Sequence, residues 1–183
     1  MSKAHDFTQV YKELGYDLSK LGCIMLDLEP LELLVDKDKL YYASNKDRFW
    51  IDGLVADKTP HVTLLYGLLR SGLEMKKHVD TVLSGVDIGS VTIDHVGYFE
   101  SPYEDEDYYC MVAHLRLTEQ LTEANERLKY LPHINTFPGY KAHFTLAYIK
   151  KDDEYRDTFM RNANKQLAGN KVKAGALNYG NNK

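Results

Sequence analysis

A duplicated hexapeptide constrains this chain more than anything else in it. His61-Val62-Thr63-Leu64-Leu65-Tyr66 returns as His143-Phe144-Thr145-Leu146-Ala147-Tyr148, with four of the six positions identical and the other two apolar in both copies. Each copy has the apolar character of a strand, and a segment with helical spacing follows each. Such a repeat predicts two lobes with one local plan, related by a pseudo-two-fold axis. Residues i and i+2 of a strand share a face. His61 and Thr63 therefore point one way, as do His143 and Thr145. On the same rule Leu64 and Tyr66, like Leu146 and Tyr148, point the other way and anchor their strands. If the lobes pack face to face, two imidazoles and two hydroxyls converge on one cleft.

That set suits phosphodiester cleavage without a metal. An imidazole titrates near neutrality, so one ring can be neutral while the other is protonated. The neutral ring takes a proton from the attacking hydroxyl, and the protonated ring gives one to the leaving oxygen. The threonine hydroxyls can donate to non-bridging phosphate oxygens, where charge builds. A single His-x-Thr reads as readily as a satisfied structural histidine. Two copies in one apolar frame carry the inference. A zinc site needs three or four ligands, and no carboxylate or cysteine stands beside either motif. No metal and no cofactor is expected.

Around the motifs, strands and helices interleave, which predicts an α+β domain with helices packed on sheets. The spacing of Phe7, Val10, Tyr11 and Leu14 predicts a helix over 6–20, with Gly15 as a stop. Strands are predicted over 21–28, 61–69, 91–99, 108–117, 141–149 and 171–177. Helices are predicted over 73–83, 118–130 and 152–167, the second capped by Thr118 and the third by Asp152 or Asp153. Residues 31–50 resist assignment, 103–107 read as an acidic loop tip, and 178–183 as a polar tail. Cys23 and Cys110 lie in apolar runs and read as small core residues. His95, His114 and His133 read as structural, and His5 and His78 as exposed.

The chain has 183 residues and a formal net charge of −4. The length fits one domain made of two small lobes. The charge argues against coating a long nucleic acid by bulk electrostatics, but a nucleotide pocket needs only a few positive groups. No apolar run approaches the roughly 20 residues that span a bilayer. The first residues lack an apolar signal core, so a cytoplasmic protein is expected.

The paired His-x-Thr frame, with a strand before the first motif and a helix after each, resembles the 2H phosphoesterase superfamily over about 21–177. The resemblance implies a bilobal fold, with two pseudo-symmetric sheet-and-helix lobes around a central cleft. Within that superfamily, four further stretches are similar to the phage anti-CBASS nucleases of T4-like viruses. These are Asp6-Phe7-Thr8-Gln9-Val10-Tyr11-Lys12-Glu13-Leu14-Gly15-Tyr16, Trp50-Ile51-Asp52-Gly53, His95-Val96-Gly97-Tyr98-Phe99 and Leu131-Pro132-His133-Ile134-Asn135-Thr136. This resemblance implies that His61, Thr63, His143 and Thr145 are catalytic. It implies 3′–5′ linked cyclic di- and trinucleotides, such as 3′,3′-cGAMP and cyclic triadenylate, as substrates. It also implies a role in defeating CBASS antiphage defence in the cytoplasm of the infected bacterial host.

Bases in small nucleotide pockets are commonly held by stacking on aromatic rings. Trp50 and Tyr42, in the irregular segment before the first motif, are the candidates. Lys141, two residues before His143, would share its strand face and is a candidate phosphate contact. Two other readings stay open: an RNA-end or 2′–5′ oligonucleotide phosphodiesterase, and a sponge that sequesters nucleotides without cleaving them. The sequence leaves open which histidine is acid and which is base.

Overall fold

The computed structural model describes residues 8–31, 33, 60–100, 108–134, 139–152 and 154–180. A short helix α1 (Thr8–Glu13) leads into strand β1 (Gly22–Leu28), then β2 (His61–Leu68), helix α2 (Lys76–Val82), and strands β3 (Ser90–Glu100) and β4 (Tyr108–Leu115). Helix α3 (Glu119–Leu128), strand β5 (His143–Lys150), helix α4 (Arg156–Leu167) and strand β6 (Lys171–Tyr179) complete the order. The fold is α+β. The strands form one antiparallel sheet in the order β2-β1-β6-β3-β4-β5.

That order is a pair of three-stranded units, β2-β1-β6 and β5-β4-β3, joined where β6 pairs with β3. Each motif strand is the outer strand of its unit. The sheet curls until the two outer strands, β2 and β5, touch. The predicted two-lobed plan thus takes the form of one curled sheet whose two ends meet.

Apolar alternation explains why the sheet curls around a core. β1 alternates buried and half-buried along its whole length, with Ile24, Leu26 and Leu28 inside. Val62, Leu64 and Leu68 of β2 and Phe144, Leu146 and Ile149 of β5 are at most 1% exposed. Burying one such side chain contributes about 1.5–3 kcal/mol, so these strands are held by their inward faces. Helix α3 packs on β2 and α4 on β3. Thr118 caps α3 as expected, its Oγ1 accepting from the Leu121 amide at 3.1 Å.

Several boundaries differ from the sequence reading. The N-terminal helix stops at Glu13, and a separate 3-10 turn spans Leu18–Lys20, because Gly15 adopts φ +86° and Asp17 starts a new cap. The cap of α4 is Tyr155, not Asp152 or Asp153. Asn178 and Tyr179 are strand residues and not tail, since they pair with Met25 and Ile24 of β1. Both cysteines are half-buried and unbridged. The acidic segment 104–107 lies outside the described residues.

One correction reaches the motifs themselves. β2 carries an extra residue at Leu64, between the pairs Thr63↔Met25 and Leu65↔Ile24. β5 carries the same irregularity at Leu146, between Thr145↔Val112 and Ala147↔Met111. A bulge resets the alternation. Leu64 and Leu65 are therefore both buried, while Tyr66 is exposed instead of sharing the inward face of Leu64. The repeat preserves its bulge as well as its side chains.

Candidate active site

The two motifs come together where β2 meets β5. His61 is exposed, Val62 buried and Thr63 half-buried. His143 is half-buried, Phe144 buried and Thr145 half-buried. The alternation sets each imidazole and its hydroxyl on one face, as the strand rule requires.

His143 is held tightly. Its Nδ1 lies 2.7 Å from the Lys141 carbonyl oxygen. A carbonyl only accepts, so Nδ1 carries a hydrogen and, in the neutral ring, Nε2 keeps the lone pair. Burial pushes the His143 pKa below the ordinary imidazole value. The Lys141 carbonyl opposes this, and the charge of His61 adds to it. That last influence shows the two motif histidines within electrostatic reach of one another. Beside them, the Cys110 Sγ sits 3.6 Å from the Thr145 Oγ1.

The first motif is held through its backbone. Tyr140, from the segment leading into β5, donates its hydroxyl to the Thr63 carbonyl at 3.1 Å. Asn125 of α3 donates Nδ2 to the Leu64 carbonyl at 2.7 Å, at the bulge itself. Asn125 is only 5% exposed. A buried amide is costly unless paired, so this bond ties the helix to the bulge. Farther along, the Ile134 amide donates to the Gly67 carbonyl at 2.8 Å. Gly67 has φ +110°, and a Cβ there would collide with the Ile134 carbonyl oxygen. Only glycine lets the second segment close onto β2.

Cross-strand register gives the two histidines different neighbours. Asp27 of β1 stands opposite His61. His114 of β4 stands opposite His143, and His95 of β3 stands opposite His114. The His95 and His114 rings stack at 4.5 Å with an interplanar angle of 18°, and His114 lies 6.5 Å from His143. Phe99 meets His114 and His143 edge-on at 5.2 and 4.9 Å. His95 and His114, read from sequence as structural, thus lie in a row with the motif. The alternation of β4 placed His114 on one face. Its register against β3 and β5 is a tertiary fact that no local pattern carries.

Residues 30–178 match the family described as the 2′-5′ RNA ligase superfamily. The chain belongs to that superfamily. It is a 2H phosphoesterase-type phosphodiesterase with a hydrolase fold of this family, and its two His-x-Thr strands lie within the matched residues. Usb1 from Kluyveromyces marxianus, a solved structure, is similar with TM-score 0.49 and 12% identity, over 87% of this chain and 92% of that one. Among curated proteins none matches the sequence. Trp50 and Tyr42 of this 2H protein lie outside the described residues. Lys141 precedes β5 and does not lie within it, and its charge acts on His114. No group of three or more metal-ligating side chains occurs among the described residues. No described helix is long and apolar enough to cross a membrane.

Proposed function

We propose that this chain cleaves 3′–5′ linked cyclic di- and trinucleotides without a metal, and that it thereby removes the signals of bacterial CBASS defence in the infected cell. The observation that carries the chemistry is the state of His143. Its Nδ1 is engaged by a carbonyl, its Nε2 is left with a lone pair, and burial favours the neutral ring. His143 is the base in this reading. It removes the proton of the ribose 2′-hydroxyl next to the scissile phosphate. His61, exposed and with Asp27 opposite it in the register, is the acid. His61 delivers a proton to the departing 5′-oxygen, and Thr63 and Thr145 donate to the non-bridging oxygens.

An adjacent 2′-hydroxyl is already tethered at attacking distance, which removes the association cost of an external nucleophile. The first product carries a 2′,3′-cyclic phosphate. The cyclic-nucleotide substrate rests on the four stretches that are similar to anti-CBASS nucleases and on the acidic net charge, which disfavours long RNA. The test is chromatography of 3′,3′-cGAMP after incubation in EDTA, beside its 2′-deoxy counterpart. The ribonucleotide should open and the deoxynucleotide should stay intact. Equal cleavage of both, or activity only after a divalent metal is restored, would contradict the mechanism. Intact 3′,3′-cGAMP with cleavage of a 2′–5′ linked oligonucleotide would favour the RNA-directed reading instead.

A further inference from the structure

We propose that His95 and His114, with Lys141, form a second phosphate subsite beside His143, which takes the phosphodiester one nucleotide away from the scissile bond. This rests on the nucleotide reading above and extends it along the sheet. His95, His114 and His143 are successive cross-strand partners on β3, β4 and β5. Neighbouring strands lie about 4.8 Å apart, so the row leads away from the reacting centre by roughly the backbone length of one nucleotide.

The row is built, not incidental. Gly97 lies beneath it, and a Cβ there would come within 3.2 Å of the His114 Nε2. The missing side chain lets the ring lie over β3 and stack on His95. Asn164 of α4 pins the strand between the two positions. Its Oδ1 accepts from the Val96 amide at 2.6 Å and its Nδ2 donates to the Val96 carbonyl at 2.9 Å. Asp94, the extra residue in the β3–β4 register, reaches the His95 Nδ1 at 2.8 Å. That contact fixes the ring and leaves its Nε2 for a ligand.

The charge at this place suits an anion. One carboxylate, Asp94, faces Arg116 at 3.5 Å and His95. Lys141 adds a further positive charge close enough to act on His114. Among the described residues, the fixed charges of Asp94, Arg116 and Lys141 sum to positive on a chain whose net charge is −4. Burial and the nearby charges of His95, His143 and Lys141 hold the His114 pKa down. A bound phosphate supplies the opposite charge, so the His114 ring gains a proton and a donor when the ligand arrives. Near-parallel stacked rings cannot aim their lone pairs at one point, which argues for an anion over a metal ion.

The test compares His95→Gln and His114→Gln with the parent on two substrates. One is cyclic diadenylate, and the other is the same ring with one linkage replaced by an uncharged methylphosphonate. On the natural substrate each variant should raise KM about tenfold or more, the worth of a charge-assisted hydrogen bond, with the loss in KM exceeding any loss in kcat. On the methylphosphonate ring the parent should already show the raised KM, and the variants should add little. Equal KM penalties on both rings, or losses confined to kcat, would overturn the subsite. A binding arm is independent of turnover. Adenosine 3′,5′-bisphosphate should bind the parent about tenfold more tightly than adenosine 3′-monophosphate and shift the His95 and His114 ring resonances, and both variants should erase that preference. If cyclic diadenylate is not cleaved but the preference and the shifts are present, the substrate reading fails and the subsite stands. If they are absent, the subsite fails.

Discussion

His61 and His143 open two copies of one motif, on two outer strands with the same bulge, yet their surroundings differ. His61 is exposed, its strand is clamped through backbone carbonyls by Asn125 and Tyr140, and Asp27 stands opposite it. His143 is half-buried, bonded through Nδ1, edged by Phe99 and followed by two more imidazoles. The comparison shows how a symmetric repeat can yield an asymmetric reaction. Acid–base cleavage needs one ring neutral and one charged at the same pH. Similar strands supply the positions, and the burial of His143 favours its neutral ring.

The largest expected effect comes from removing either ring. His61→Ala and His143→Ala should each lower turnover by about 10²–10⁴, the usual worth of one acid or base. The double variant should lose less than the product of the two, because the pair acts as a unit. Multiplicative losses would show that the two ends of the sheet work independently. Thr63→Val and Thr145→Val should each cost about tenfold in kcat, close to the worth of one hydrogen bond. A loss for only one of them would sharpen the asymmetry to the phosphate oxygens.

The clamp on β2 is tested by stability. Asn125→Ala leaves the Leu64 carbonyl without its partner, and should lower the unfolding free energy by about 1–3 kcal/mol. Chemical denaturation measures this. Tyr140→Phe, which removes a less buried bond, should cost less. An unchanged midpoint for Asn125→Ala would remove the claim that α3 holds the bulge.

The smallest effect is a shift in titration. A base must be neutral to act, and burial lowers the His143 pKa. The acid limb of the bell-shaped kcat/KM profile should therefore lie below the ordinary imidazole value of 6.5. The charge of His61 contributes to that depression, so the His143 ring followed by NMR should titrate at higher pH in His61→Ala. Linkage gives the matching sign for folding. A depressed folded-state pKa means the unfolded chain binds the proton more readily, so stability should fall as pH drops below 6.5 through the folded value. A His143 midpoint at or above 6.5 would remove the basis for calling it the base.

The sequence made legible what lies within single strands. The repeat, the shared face of His61 and Thr63, and the Thr118 cap are local patterns of period two or of capping chemistry. The two-lobed α+β plan followed from the repeat. What stayed hidden lies between strands. The row of His95, His114 and His143 depends on the register of β3, β4 and β5. The bulge at Leu64 reversed the inward orientation assigned to Tyr66. Asn125 gave no signal, because a polar residue on an amphipathic helix is ordinary until its carbonyl partner is known.

The division of roles between the two histidines is tested most directly by a substrate whose scissile bond ends in a 5′-sulfur in place of the 5′-oxygen. A thiolate departs without needing a proton, so such a substrate removes the requirement for the acid and leaves the requirement for the base. Turnover of the sulfur substrate should be nearly normal in His61→Ala and remain strongly impaired in His143→Ala. Rescue of His143→Ala, with His61→Ala still impaired, would contradict the assignment of His143 as the base.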